Sequence, residues 1–114
     1  MSRVGIVGGG ASGVFCAIVI KKFNPLIDVV IFEKNEILKT LLYTGNGRCN
    51  ISHKFTDIKD FASNYPRGEK FLYSIFNQFS PDDTIKFFKK IGIDTYIQED
   101  NRIFPKSNSA KEVR

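Results

Sequence analysis

Cysteine and histidine are scarce in this chain, and long apolar runs are absent. The two cysteines, Cys16 and Cys49, are too few for the disulfide framework of a small secreted domain, so we expect a reducing, cytoplasmic environment. The single histidine, His53, has no cluster of further histidine, cysteine or carboxylate residues at metal-ligand spacing, so the sequence predicts no metal site. Apolar runs are too short to span a membrane, and no basic segment precedes an apolar stretch as in a secretory signal.

The positive charge of the chain is modest and spread along its length. The formal net charge is +5, and the lysines do not form one dense cluster. Such a distribution favours a solvated surface over a nucleic-acid interface, so we expect no nucleic-acid partner. The hydrophobic content of 42% is that of a folded protein.

A glycine-rich turn close to the N-terminus carries the strongest functional pattern. An apolar segment, Val4–Val7, leads into Gly8, Gly10 and Gly13, which have the G-x-G-x-x-G spacing of dinucleotide sites. In such a site Gly8 permits a tight turn and Gly10 lets a pyrophosphate approach the backbone. Gly13 lets the following helix pack closely on the strand. The spacing therefore predicts a phosphate site where the first strand turns into the first helix.

Two further features support a dinucleotide in this position. The amides of Ala11, Ser12 and Gly13 open a helix, and the positive end of its dipole faces the phosphates. A second apolar strand ends at Glu33, 20 residues beyond Gly13, where a carboxylate accepts hydrogen bonds from the ribose of an adenine dinucleotide. The alternative is a βαβ unit whose glycine-rich turn binds no phosphate.

Apolar periodicity predicts an α/β chain in which one βαβ unit precedes helices and a β-hairpin. The first strand is an unbroken apolar run, typical of a parallel strand buried on both faces, and Cys16 is interpreted as a buried residue of the first helix. The predicted elements are a strand at 3–8, a helix at 11–23, a parallel strand at 28–33, helical packing at 37–42, an irregular segment at 53–67, a helix at 71–79, a helix begun by Ser80 and ended by Gly92, a hairpin of 93–99 with 102–104, and a helix that starts near 110.

The chain is short for the domain that these motifs predict. A complete doubly wound dinucleotide-binding domain usually has more strands than 114 residues provide here. We therefore expect residues 1–114 to be the N-terminal part of a larger domain.

A second glycine-containing segment lies at residues 43–52. Gly45, Gly47 and Arg48 stand among small polar residues, a composition that suits both an anion-binding loop and an ordinary surface loop. The planar guanidinium of Arg48 matches the geometry of a phosphate.

Three blocks of the sequence together resemble a known family. They are Gly8–Gly13 with Phe32–Lys34, then Thr44–Asn50, and then Arg102–Ser107 with Ala110 and Val113. The chain resembles the N-terminal part of bacterial NAD(P)/FAD-dependent oxidoreductases of the "aminoacetone oxidase family FAD-binding enzyme" group. These are flavoproteins with two dinucleotide-binding domains, and the group includes the bile-acid reductase flavoprotein.

The resemblance implies a Rossmann-like FAD-binding fold and a set of cofactor contacts. FAD would lie with its pyrophosphate over the first glycine loop, its ribose on Glu33 and its ribityl and flavin near residues 44–50. The implied cofactor-binding residues are Gly8, Gly10, Ala11, Ser12, Gly13, Glu33, Lys34, Gly45, Asn46, Gly47, Arg48, Cys49 and Asn50. The family's second loop usually reads S-G-G-G-R-C-N; Thr44 and Asn46 differ here, and asparagine tolerates a left-handed backbone.

The implied activity is hydride transfer through the flavin to or from a small-molecule substrate, with NAD(P)H as a candidate electron donor. The resemblance also implies that the substrate domain and the C-terminal flavin-binding segment lie outside this chain. No catalytic side chain is predicted. For Cys49 we favour a flavin contact over a redox-active thiol whose pKa the neighbouring Arg48 would lower. Two alternatives remain open: an NAD-binding enzyme without flavin, and an inactive truncated dinucleotide-binding module.

Overall fold

The computed structural model describes residues 2–114. Within this range the strands are β1 (Arg3–Val7), β2 (Asp28–Phe32), β3 (Ser52–His53), β4 (Thr95–Ile97) and β5 (Arg102–Pro105). The α-helices are α1 (Ala11–Phe23), α2 (Ile58–Ser63), α3 (Glu69–Gln78), α4 (Pro81–Lys90) and α5 (Ala110–Val113), and a 3₁₀ segment covers Thr40–Gly47.

The first unit is the predicted βαβ arrangement. Strands β1 and β2 pair in parallel, with Gly5 opposite Val30 and Val7 opposite Phe32, and α1 connects them. Helix α1 ends at Asn24, just before Pro25, because proline disfavours helical backbone in the residue that precedes it. The α/β fold with a Rossmann-type start is therefore confirmed.

The exposure of β1 differs from the prediction of a strand buried on both faces. Its residues alternate between exposed and half-buried, and Val7 is 90% exposed. Phe32, its partner on β2, is 60% exposed. The prediction was wrong because an apolar run shows that both faces of a strand are apolar, but it does not show that another element covers each face. Helix α1 packs on the face that carries Ile6, while Val7 and Phe32 lie on the opposite face of this two-stranded sheet.

The second unit is an antiparallel sheet with the strand order β3-β5-β4. The predicted hairpin is confirmed: β4 pairs with β5, and Asn101 adopts the left-handed backbone (φ 65°) that its turn requires. Strand β3 and helix α2 lie in the segment predicted to be irregular, so that prediction was wrong. The two-residue β3 depends on pairing with β5, about 50 residues further along, and this partner leaves no local pattern.

Helices α3 and α4 form as predicted. Ser80 caps α4 by a reciprocal pair of bonds, since its Oγ accepts from the Asp83 amide and the Asp83 carboxylate accepts from the Ser80 amide. Gly92 follows the helix with φ 92°. The ring of Phe15 in α1 lies 5.4 Å from that of Phe79 and 5.0 Å from that of Phe87, so these phenylalanines pack against one another.

Two local predictions were wrong. Residues 37–39 are not helical, because Leu38 adopts a left-handed backbone (φ 58°) and its amide donates to the carbonyl of Gly9 at 2.7 Å. The chain then enters the 3₁₀ segment, which is interrupted at Thr44–Asn46. Cys16 in α1 is exposed instead of buried, because helical position alone does not determine which residues another element covers.

Candidate functional site

Gly8 makes the turn between β1 and α1. Its φ of 101° lies in the region that side chains rarely adopt, and its amide donates to the carbonyl of Phe32 at 2.8 Å. The turn is thus fixed to the end of β2. This is the role that the sequence predicts for the first glycine of the motif.

Gly13 allows α1 to approach this turn. A Cβ atom at Gly13 would lie 2.0 Å from the carbonyl oxygen of Gly8 and 3.3 Å from the Cγ2 atom of Ile6. Backbone atoms cannot yield as a flexible side chain can. Only glycine fits here without a shift of the turn, as predicted for the third glycine.

Gly10 faces open space. A Cβ atom placed on it would have no heavy atom within 4 Å. Gly10 is also the N-cap of α1, no side chain caps the helix, and its first turn carries no acidic residue. The amides of Ala11, Ser12 and Gly13 therefore have no intrahelical acceptor and are available to an anion in this space.

Glu33 lies against the glycine loop. One carboxylate oxygen accepts from the amide of Gly9 at 2.7 Å and the other from the amide of Asn35 at 2.8 Å. These bonds, that from Asn35 first, lower the pKa of Glu33 below its ordinary value. Each carboxylate oxygen can accept a further hydrogen bond, so the ionised Glu33 can also receive the hydroxyls of a ribose. Lys34 follows it and is exposed.

The sequence pattern did not single out Gly9, yet this residue holds the loop together. It is buried, and a Cβ atom on it would lie 3.0 Å from Cβ of Glu33 and 3.1 Å from Cγ1 of Ile37. Its carbonyl accepts the amide of Leu38. The run of three glycines is the signal that points to such packing.

The loop at residues 44–50 has an unusual backbone. Gly45 (φ 56°), Asn46 (57°), Gly47 (83°) and Cys49 (64°) all lie in the left-handed region. Asn46 adopts the conformation that the sequence predicts it to tolerate. A Cβ atom at Gly45 would lie 2.5 Å from the ring of Phe104, so the loop packs directly on β5.

Arg48 is held inside this loop by three contacts. Its Nε donates to the carbonyl of Gly45 at 3.1 Å, and its Nη1 donates to Oε1 of Gln98 at 2.9 Å. Its guanidinium carbon lies 4.0 Å from the centre of the Phe104 ring. The sequence gives no local sign of Gln98 and Phe104 as partners, because both lie about 50 residues away.

Cys49 is buried, with 3% of its surface exposed, and burial raises the pKa of its thiol. A buried thiol with a raised pKa is a poor nucleophile at neutral pH, which weighs against a redox-active cysteine. Asn50 is exposed beside it.

The predicted site residues thus lie in two clusters. At the first turn Gly13 lies against Gly8, and Glu33 is bonded to Gly9, which the sequence pattern did not predict. The loop at residues 44–50 is held by contacts with Gln98 and Phe104 of the hairpin region. Residues 2–114 contain no group of three or more metal-binding side chains, and no helix in this range is long and apolar enough to cross a membrane.

Comparison with known proteins adds two findings. A family profile described as "HI0933-like protein Rossmann domain" matches residues 2–114. The chain is also 36% identical, over 114 residues, to the 3-dehydro-bile acid delta(4,6)-reductase of Clostridium scindens. That alignment covers 99% of this chain and 27% of the relative, so the chain spans about a quarter of the length of this curated protein.

Proposed function

The chain belongs to the HI0933-like Rossmann-domain family, and on this premise we propose that it is the FAD-binding N-terminal part of a flavin-dependent oxidoreductase. Support comes from the reductase relative and from the geometry of the first turn. We extend only the reaction class to this chain: oxidoreduction of a small molecule, with NAD(P)H as the proposed electron donor. We further propose a cytoplasmic location, with which the two free thiols agree.

The observation that carries the proposal is the open space at Gly10, which caps a helix without a side-chain cap, while Glu33 is bonded to the neighbouring Gly9. Free amides at a helix N-terminus bind phosphate, and a carboxylate at the end of β2 binds ribose hydroxyls. The residues present therefore fit the pyrophosphate and adenosine ribose of FAD.

The roles proposed for this chain are binding and orientation. The amides of Ala11, Ser12 and Gly13 would hold the pyrophosphate, and Glu33 would hold the ribose. The main chain of residues 44–50 would contact the ribityl or flavin. The flavin, when bound, supplies the hydride chemistry. An ionised Glu33 also disfavours a nucleotide with a 2′-phosphate at this position.

The test is cofactor analysis of the protein expressed from the reading frame that contains this chain. We expect a yellow protein whose heat-released nucleotide is FAD, and loss of the flavin absorbance in Gly10→Val, which fills the open space. The matched control is Gly5→Val on the exposed face of β1, where the nearest neighbour is the movable ring of Phe32. Gly5→Val should keep its FAD.

Other outcomes decide between the alternatives. Release of NAD without flavin would replace the proposal with a nicotinamide-dependent enzyme. Neither nucleotide in a folded protein, even after titration with FAD, would indicate an inactive module. Full FAD occupancy in Gly10→Val would contradict the placement of the pyrophosphate at the glycine loop.

A further inference from the structure

Arg48 in the loop at residues 44–50 makes two side-chain hydrogen bonds and a stacking contact within the protein. These contacts differ from those expected of an arginine that binds a phosphate. Two of its nitrogens already donate to protein acceptors, and one face of its guanidinium lies on a fully buried phenylalanine ring. We propose that Arg48 is a positioning residue, which fixes the loop at residues 44–50 to the β4–β5 hairpin so that the main chain of the loop contacts the cofactor. The part of this inference that concerns the cofactor rests on the proposed function.

The first step of the argument is the cost of releasing Arg48. A guanidinium that turned toward a phosphate would leave the amide oxygen of Gln98 without its donor, and the carbonyl of Gly45 would keep only the amide of Arg48 as a donor. It would also uncover Phe104, whose exposed fraction is 0%. Half-buried polar groups without a partner are unfavourable, so the observed contacts hold the side chain in place.

The second step concerns the backbone on either side of Arg48. Asn46 and Cys49 both have left-handed backbones; asparagine adopts this conformation readily, but cysteine adopts it mainly where its surroundings hold it. Arg48 stands between them and bonds back to Gly45, so its side chain closes this strained segment. We infer that the hairpin, acting through Gln98 and Phe104, determines the shape of the loop.

The third step separates charge from geometry. A lysine at position 48 keeps the positive charge but cannot donate in two fixed directions or stack as a plane on Phe104. If Arg48 served as a charge for a phosphate, Arg48→Lys would keep most of the affinity and Gln98 would be irrelevant. If Arg48 positions the loop, Gln98→Ala should act like Arg48→Lys, although Gln98 carries no charge.

The first experiment needs no cofactor and uses the buried thiol of Cys49 as a reporter. In the apoprotein from the full reading frame, labelling with a thiol reagent followed by peptide mass spectrometry should modify exposed Cys16 quickly and Cys49 slowly. Arg48→Lys and Gln98→Ala should each speed the labelling of Cys49 by about tenfold, which is ~1.4 kcal/mol of lost protection. Cys16 should react at its original rate, which makes it the internal reference for the reagent, and an unchanged far-UV circular dichroism spectrum shows that each variant remains folded.

The matched control is Arg102→Lys. Arg102 also lies near the ring of Phe104, at 5.4 Å, but its Nε pairs with Asp100 and it makes no bond to the loop. The same change of side chain there should leave the labelling of Cys49 as it was. Unchanged labelling in Arg48→Lys, or equal acceleration in Arg102→Lys, would overturn the positioning role.

The second experiment measures FAD affinity in the protein from the full reading frame. We expect Arg48→Lys and Gln98→Ala each to weaken binding about tenfold and the double variant to weaken it no further, because both break one interaction. A merely structural weakening at each site would give additive losses. Additive losses, or no effect of Gln98→Ala, would therefore contradict the inference.

The Gly10→Val variant distinguishes failure of this inference from failure of the proposed function. It should lose FAD while the labelling rate of Cys49 stays unchanged, because it lies in the other cluster. If the wild-type protein binds no FAD, the proposed function fails, and the labelling series still decides whether Arg48 anchors the loop.

Discussion

Adding a methyl group at Gly13 should have a different consequence from adding one at Gly10, although both glycines lie in the same turn. Gly13→Ala places a Cβ atom 2.0 Å from the carbonyl oxygen of Gly8, whereas Gly10→Ala places one where no heavy atom lies within 4 Å. The first change should damage the fold, and the second should damage ligand binding alone. The pair therefore separates the packing role of the motif from its phosphate role.

The expected loss of stability in Gly13→Ala is large because the new methyl group would meet a backbone atom, the carbonyl oxygen of Gly8. Overpacking usually costs ~1–3 kcal/mol, and the upper end applies because the Gly8 carbonyl belongs to a turn fixed by the Gly8 amide. Alanine regains about 1 kcal/mol of helix propensity over glycine. The net loss is about 2 kcal/mol, which lowers Tm by on the order of 10 °C for a domain of this size.

Gly10→Ala should change the free energy of unfolding very little. Gly10 has φ −77° and ψ −174°, an extended backbone that alanine adopts without strain. Alanine is the poorer N-cap, but it reduces the entropy of the unfolded chain by about 0.4–1 kcal/mol, and the two effects nearly cancel. Loss of two amide–phosphate hydrogen bonds, each worth about 1.5 kcal/mol, would weaken FAD binding by on the order of 100-fold.

The assay combines thermal unfolding followed by circular dichroism with FAD titration of each variant. Gly5→Ala, on the exposed face of β1, is the control and should match the wild type in both measurements. An unchanged Tm in Gly13→Ala would refute the close approach of α1 to Gly8. A stable Gly10→Ala variant with full FAD affinity would refute the phosphate role of the loop.

Three further predictions concern single contacts. The pKa of Glu33 is lowered from 4.5, so its ionised form stabilises the fold above its unfolded pKa and this gain is lost as the pH falls through the lowered value; between about pH 5 and pH 3, Tm should fall more in the wild type than in Glu33→Gln. Ser80→Ala removes the cap bonded to Asp83 and should cost about 1 kcal/mol, measured by urea unfolding. Gly45→Ala meets both a positive φ and the ring of Phe104; it should cost about 2 kcal/mol and speed thiol labelling of Cys49.

The sequence predicts the first turn well because its constraints are local. Gly8 needs its positive φ, and Gly13 needs the close approach of a helix that begins two residues earlier. Glu33 ends the strand that pairs with β1, and parallel register alone brings it beside the turn. Each of these requirements lies within one βαβ unit, so residue spacing is sufficient to infer it.

The predictions that were wrong have a common cause, which is that they depend on contacts between separate elements. Leu38 has the spacing of a helical residue, but its bond to the carbonyl of Gly9 outweighs helix propensity. Strand β3 exists through its pairing with β5, and the exposure of Cys16 and Val7 depends on which faces of α1 and β1 receive a neighbour. The Leu38–Gly9 bond and the β3–β5 pairing each join residues more than 25 positions apart, so no local pattern predicts them.

The second loop shows how far such a motif can be interpreted from composition. When only residue types are considered, a glycine-containing loop with an arginine suits both an anion-binding loop and an ordinary surface loop. Once Gln98 and Phe104 are placed around Arg48, two of its nitrogens and one face of its guanidinium are in contact with the protein. A side chain committed in this way costs little entropy to order when a ligand arrives. The loop can therefore present a preformed main chain to a cofactor, and its affinity should depend on the hairpin as much as on its own sequence.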